Sequence, residues 1–303
     1  MPIAFDSIRR ARPLLGTFVE IEVTAAAGPE TDAAIDAAFD AVARVHRLMS
    51  FHEHDSDVSR VNREAGVRPT RVDAWTFEVL EAAVEMHRRS GGVFDVTVAP
   101  ALQAVGLLPG ADGERAVVPA PCVGDAIELL PERIVRFQAP DTRIDLGGIA
   151  KGFAVDRAIE VLREFDVPAG LVNASGDLRV FGAAPHAVDL RDPRDPLRLL
   201  ARIEMAGEAL ASSARRFDLM EGSTLGASAI INPATGEPAA AMIGATIRTS
   251  SCMIADALTK VVMILGTGAG DLLEHYGASA LLVAADGDIQ ITSDWSQAVH
   301  LAA

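Results

Sequence analysis

The chain has 303 residues, half of them hydrophobic, and a formal charge of −15 from 42 acidic and 27 basic side chains. That apolar content suits a globular core and excludes a disordered polymer. Acidic groups run along the whole length and no basic cluster interrupts them, which argues against a nucleic-acid partner but permits a small anion held by a few local cations.

In chain order, Arg9, Arg10 and Arg12 precede Leu14-Leu15-Gly16-Thr17-Phe18, and Ala25-Ala26-Ala27 follows, an outline that loosely mimics a signal peptide. Glu20 and Glu22, however, alternate with Val19, Ile21 and Val23, the period of a half-buried strand. The first predicted element is therefore a strand, and the expectation is a cytoplasmic protein. Thr31 is placed to cap a helix with Ile35, Ala38, Phe39, Val42, Val45 and Met49 on one face. A polar loop from Phe51 to Asn62 follows. Asp73 caps a second helix carrying Phe77, Leu80, Val84 and His87, ended by Ser90-Gly91-Gly92. Residues 106–125 lack periodicity and read as a long surface excursion. Further on, short apolar or alternating segments at 169–173, 177–181, 186–190, 199–204, 208–213, 243–249, 279–284 and 287–292 predict strands. Helices intervene near 149–165 and 251–265, the second stopped by Gly266. Such a succession predicts an α+β protein with antiparallel sheet, forming one unit over residues 1–303. No apolar run approaches the roughly 20 residues of a membrane span. Cys122 and Cys252 form no CxxC or Cys/His cluster, so a reduced compartment is the simpler reading.

Three segments concentrate chemistry. In Asp145-Leu146-Gly147-Gly148-Ile149-Ala150-Lys151-Gly152-Phe153-Ala154-Val155-Asp156, two glycines open a helix after a strand-like stretch ending in Ile144-Asp145. A helix start offers free N–H groups to an anion, and Lys151 lies one turn in; a plain strand-to-helix turn with a surface lysine fits the same residues. In Ala169-Gly170-Leu171-Val172-Asn173-Ala174-Ser175-Gly176-Asp177-Leu178-Arg179 a strand enters, small residues make a turn, and a strand leaves with Phe181-Gly182; an ordinary hairpin fits the same residues. In Ile254-Ala255-Asp256-Ala257-Leu258-Thr259-Lys260, Asp256 and Lys260 share a helix face with Cys252, and Thr259 lies beside them. The neighbours are almost all apolar, so Asp256 is expected to be buried, and a buried carboxylate needs a charged, metal or ligand partner.

Taken together, Gly16-Thr17-Phe18-Val19-Glu20-Ile21, Met49-Ser50 with Ser56 and Ser59-Arg60-Val61-Asn62, Gly92-Val93-Phe94-Asp95-Val96-Thr97-Val98-Ala99-Pro100, the Asp145–Asp156 segment, Asn173 to Phe181, Pro233-Ala234-Thr235-Gly236 and Ala255-Asp256-Ala257-Leu258 resemble the ApbE-type FAD:protein FMN transferases. The likeness runs from about residue 12 to 292. It implies a T-fold-like α+β core of antiparallel sheet packed against helices, binding of FAD, and a divalent ion, usually Mg²⁺, beside the pyrophosphate. A threonine hydroxyl of an acceptor flavoprotein then attacks the FMN phosphorus and AMP leaves; some members let water attack instead, acting as FAD pyrophosphatases. By the same resemblance Leu15, His52, Val93, Phe94, Asp95, Asp145, Lys151 and Ile230 contact the dinucleotide. Gly148, Asp256 and Thr259 are the candidate metal ligands, and Asn62, Asp256 and Lys260 the candidate catalytic residues.

Departures from the pattern cluster in the site. His52 stands for an aromatic Tyr, Ser175 for a glycine, and Ala229-Ile230-Ile231-Asn232-Pro233 for His-Ile-Ile-Asp-Pro. Lys260 replaces a threonine that helps hold the metal, and an ammonium cannot ligate Mg²⁺. A divergent paralogue that binds FAD for storage, delivery or sensing is the alternative expectation.

Overall fold

The computed structural model describes residues 6–110, 124–215 and 228–302. Cys122 and most of the expected excursion at 106–125 lie outside them. In chain order the elements are β1 (Asp6–Leu14), β2 (Thr17–Ala25), α1 (Pro29–Met49), α2 (Asp57–Glu64), β3 (Thr70–Arg71), α3 (Ala74–Arg89), α4 (Ala99–Ala104), β4 (Ile127–Leu130) and β5 (Ile134–Phe137). Then come α5 (Ala150–Glu164), β6 (Ala169–Ala174), β7 (Asp177–Phe181), β8 (His186–Asp192), β9 (Asp195–Met205), β10 (Ala209–Ala214), β11 (Met242–Thr249), α6 (Cys252–Leu265), α7 (Gly270–His275), β12 (Ser279–Ala284), β13 (Ile289–Ile291) and β14 (Val299–Leu301).

An eight-stranded sheet in the order β1-β2-β6-β7-β10-β11-β12-β13 forms the middle layer, with every neighbouring pair antiparallel. Strand alternation gives it two apolar faces. Val19, Ile21 and Val23 of β2, Ala209 and Ala211 of β10 and Ala245 and Ile247 of β11 pack against α1, α5 and α6. Leu178, Val180, Leu210 and Val283 face the other way, onto a three-stranded sheet β14-β9-β8 and the fully buried Trp295. The helix-side face carries the functional residues, because Asp177 and Arg179 alternate with Leu178 and Val180 along β7. The α+β class with antiparallel sheet backed by helices is as expected from the pattern of short strands.

Several local expectations need correction. The arginines at 9, 10 and 12 belong to β1, whose charges hide its alternation; Arg9 Nη2 reaches Glu22 on β2 at 2.6 Å. The Phe51–Asn62 loop turns into α2, capped by Ser56, whose hydroxyl accepts from Ser59 N at 3.0 Å. Its two apolar residues, Val58 and Val61, are both fully buried. Thr31 does not cap α1; the helix starts at Pro29 after Gly28, and the Thr31 hydroxyl donates to the Ala26 carbonyl at 2.7 Å. Asp73 does cap α3, but the buried face of that helix is Thr76, Val79, Leu80, Ala83 and Met86, with Phe77, Val84 and His87 only half-buried. Ile144-Asp145 is not a strand, although Asp145 N bonds the Val96 carbonyl at 2.8 Å. Finally, Cys252–His275 is long and apolar enough to cross a membrane; in the fold α6 is a core helix packed on β10, β11 and α5.

Candidate functional site

A cleft of about 630 Å³ opens where the N-terminal end of α5 and the later turns of α6, at Lys260 and Ile264, meet the helix-side face of the sheet. Its floor depends on a close crossing. A Cβ on Gly152 would lie 2.2 Å from the Cys252 carbonyl oxygen, so only glycine lets α5 approach α6 this way. The two helix starts then exchange carboxylates. Asp256 of α6 accepts the Gly152 N–H at 3.1 Å. Asp156 of α5 accepts the Cys252 and Met253 N–H groups at 3.1 and 3.0 Å, together with the Ser251 hydroxyl at 2.9 Å. Each acid sits at the positive end of the partner helix and satisfies amides that helix cannot satisfy itself.

Above this crossing lies a buried charge cluster. Lys260 pairs with Asp256 Oδ1 and Lys151 with Asp177 Oδ2, while Lys151 Nζ also stands 3.6 Å from Asp256. Asp256 and Asp177 are 0% and 1% exposed, the lysines 17% and 33%; the acids are the base of the cluster and the ammoniums its rim. Burial opposes the charged form of Lys151, but Asp256 and Asp177 outweigh it and hold the ammonium well above its ordinary pKa. Burial, and then the charge of Asp256, push Asp177 up to about 6 in spite of Lys151. Asp256 meets the same burial, yet Lys151, Lys260 and the Gly152 N–H hold it below the usual carboxylate range. Asp177 is thus the acid of this pair that takes a proton first, having one lysine in contact where Asp256 has two. Cys252, also buried, has its thiol raised by burial and then by Asp156, Asp177 and Asp256, which makes it inert.

The cleft brings together most of the residues singled out from the sequence. Leu15, Val93, Phe94, Asp95, Asp145, Gly148, Lys151, Ile230 and Lys260 all line it, and Asp256 and Thr259 are buried beneath. Leu15 reaches it from a two-residue hairpin turn in which Leu15 and Gly16 both take positive φ, 57° and 71°. Asp145 Oδ2 accepts the Gly147 N–H at 3.0 Å, and burial raises the carboxyl against that bond and the charge of His52. Two expected contacts fall elsewhere. Asn62 is buried behind the cleft, exchanging bonds of 2.9 and 2.7 Å with the Ile144 carbonyl and amide, so it positions the Asp145 segment. His52 is exposed and is not among the lining residues, although its charge acts on Asp145; its ring is edge-on to Phe51 at 6.5 Å. Asp95 lines the wall with a carboxylate already engaged by Thr97 and the Gly124 N–H. Asp177, Ser213 and the capping role of Asp156 were not among the site residues expected from the sequence, although Asp177 lies in one of the segments singled out there. Asp177 had a signal, an acid in alternation with the apolar Leu178 and Val180; the other two had none.

The expected divalent ion does not fit the residues present. Asp256 Oδ1 holds Lys260 and Oδ2 holds the Gly152 amide. Thr259 Oγ1 donates to the Asp256 carbonyl at 2.7 Å, bonds Ser213 Oγ at 2.7 Å, and has Lys260 Nζ at 3.1 Å. A Cβ on Gly148 would touch Lys260 Cε at 3.5 Å, which places the lysine stem against the third candidate ligand. A dication there would sit in contact with an ammonium and find the side-chain oxygens of Asp256 and Thr259 already engaged. A larger space of about 920 Å³ lies between the two sheets, sharing Ser175, Ser212 and Ser213 with the cleft. It is lined by none of Lys151, Asp177, Asp256 and Lys260, so the smaller cleft is the candidate site.

The ApbE family model matches residues 15–283. The chain belongs to the ApbE family. Among curated relatives of this ApbE member, an FAD:protein FMN transferase from Vibrio cholerae is 26% identical, covering 88% of this chain and 83% of its own. One from Treponema pallidum is 26% identical over 94% and 86% respectively. The solved ApbE protein of Thermotoga maritima superposes with a TM-score of 0.85 at 25% identity, covering 97% of this chain and 99% of that one. The flavin transferase ApbE from V. cholerae superposes with a TM-score of 0.83 at 24% identity, which speaks for the fold alone.

Proposed function

We propose that this ApbE member is an FAD:protein FMN transferase, moving FMN from FAD onto a threonine hydroxyl of an acceptor flavoprotein and releasing AMP. The observation that carries the reading is the family match over residues 15–283, shared with relatives of that activity. In the reaction the acceptor Oγ–P bond forms, the anhydride P–O bond to AMP breaks, the hydroxyl proton is released, and AMP departs with the bonding electrons. Catalysis of such transfers is mainly positioning and neutralisation of phosphate charge.

The cleft supplies both. Among its described lining residues Lys151 and Lys260 are the only cations, and Asp177 and Asp256 fix their ammoniums from below. Leu15, Val93, Phe94, Ile230 and Ile231 make the rest of the wall apolar, suited to the flat rings of a flavin dinucleotide. Asp145 and the N-terminal end of α5 complete the polar side. Mg²⁺ has no part in this proposal, since two of its candidate ligands are taken up, Asp256 by Lys260 and Gly152 and Thr259 by Ser213, and the Lys260 stem packs beside Gly148. Ala229 stands where the family motif has histidine, so no base is assigned at that position.

The test is incubation of the pure protein with FAD and an acceptor flavoprotein, following AMP by chromatography and covalent flavin by in-gel fluorescence. The expected result is AMP in step with labelled acceptor. FMN and AMP without labelling would make it a pyrophosphatase, and bound but uncleaved FAD would make it a flavin store or carrier.

A further inference from the structure

The disagreement between the metal site that the family implies and the side chains present here has a chemical consequence. We propose that Lys260 is a built-in substitute for the divalent ion, so that this protein binds the FAD pyrophosphate with fixed ammonium charge and without metal. The inference rests on the flavin-transfer reading for the identity of its ligand, though not for the exclusion of metal.

Lys260 is placed by packing and by partners. It lies one helical turn beyond Asp256 on α6, a helix whose neighbouring positions are apolar and buried. Its Nζ contacts Asp256 Oδ1, stands 3.4 Å from Ser213 Oγ and 3.1 Å from Thr259 Oγ1. These are the oxygens a cation would seek, gathered around an ammonium. The side chain is 17% exposed and lines the cleft, so the charge is covered on the protein side and open on the ligand side. Lys151 extends the same field from α5, 3.6 Å from Asp256. With both acids ionised, the two lysines and two acids balance. An anion entering the cleft meets the ammonium rim and not Asp177 and Asp256, which are buried below it, while the lining acids Asp95 and Asp145 are each engaged by backbone N–H groups. A lysine stays in place irrespective of metal supply, but it is a point charge that cannot polarise a leaving oxygen as a Lewis acid does. Binding is then metal-independent, and the chemical step relies on positioning and hydrogen bonding.

Two measurements with the full chain decide this. FAD is titrated calorimetrically into wild type, Lys260→Thr and Lys260→Met, each in EDTA and in Mg²⁺. Separately, Mn²⁺ is titrated into each protein and free ion is read by electron paramagnetic resonance. Wild type is expected to bind FAD with the same Kd within about twofold in both buffers, and to leave Mn²⁺ free. Removing one charge-assisted contact lowers affinity about 10–100-fold, so both variants are expected to weaken by that factor in EDTA. Mg²⁺ restores Lys260→Thr, whose hydroxyl stands beside the freed Asp256, and leaves Lys260→Met weak. Only the Thr variant gains a bound Mn²⁺. The proposal is overturned if EDTA abolishes wild-type binding, if wild type captures Mn²⁺ stoichiometrically, or if Lys260→Thr binds FAD as tightly as wild type in EDTA. Wild type that binds no FAD in either buffer would refute the flavin reading, and the Mn²⁺ titration would still decide whether Lys260 excludes the metal. Thermal melts identify any variant that has unfolded, and the wild-type arms do not depend on one.

Discussion

Gly152→Ala sets two physical effects against each other with opposite signs. Intrinsic helix propensity favours alanine over glycine by about 1 kcal/mol, so a view confined to α5 expects stabilisation. The tertiary structure demands the reverse. The added Cβ would lie 2.2 Å from the Cys252 oxygen and 2.8 Å from Met253 Cα, where ordinary contact begins at 3.4 Å. These are backbone atoms of the first turn of α6 and cannot swing aside, so the helices must part by about 1 Å. Overpacking of this kind costs about 1–3 kcal/mol. Separation also stretches the Gly152–Asp256 and Cys252–Asp156 bonds, both 3.1 Å, and weakening one charge-assisted bond costs about 1.5–3 kcal/mol. After the propensity gain is deducted, a net loss of about 2–4 kcal/mol is expected. Urea unfolding monitored by circular dichroism measures it, as a lower midpoint with an unchanged slope. FAD affinity should fall as well, because Asp256 and Lys151 ride on the two displaced helices. A variant as stable as wild type, or stabilised by the propensity term, would refute the claim that this crossing is set by Gly152.

Asp156→Ala removes the acceptor for two α6 amides, the Ser251 hydroxyl and Arg179, whose Nη1 is 2.7 Å away; a loss of about 3–5 kcal/mol is expected in the same unfolding assay. Asp145→Ala should weaken FAD binding about tenfold by calorimetry while the melt stays cooperative, and loss of that cooperativity would make Asp145 structural. The Asp177 carboxyl, raised to about 6, gains a proton in the folded protein as pH falls from 7 to 5. Its charge then no longer offsets Lys151, so FAD affinity should rise as pH falls through 6 and level off below it. Asp177→Asn should abolish that dependence and bind at the low-pH level throughout. Folded and unfolded Asp177 differ in the same direction: with the native pKa above the ordinary aspartate value of about 3.9, its contribution favours folding below that value and is lost as pH rises through 6.

What the sequence determined by itself was whatever local pattern and spacing encode. Alternation marked β2, β6, β7, β11 and β12, helical period marked α1, α5 and α6, and Asp73 marked the start of α3. The apolar company of Asp256 told that its carboxylate is buried. The spaced motifs carried the family, because their order along the chain outweighs any one of them. Polar and charged segments were harder: β1 and α2 each bury few side chains, so their patterns are faint, and pairing with β2 or capping by Ser56 decides them. Only the tertiary structure could bring Lys151, Asp177, Asp256 and Lys260 together, since they come from α5, β7 and α6 and meet because β7 turns Asp177 toward the helices. It alone showed Asn62 behind the cleft and His52 outside it, a matter of direction that spacing does not contain. It also decided the role of Gly152, which in sequence is one more glycine in a glycine-rich turn. Its reason is a carbonyl oxygen, on a helix one hundred residues later, that would lie 2.2 Å from any Cβ placed there.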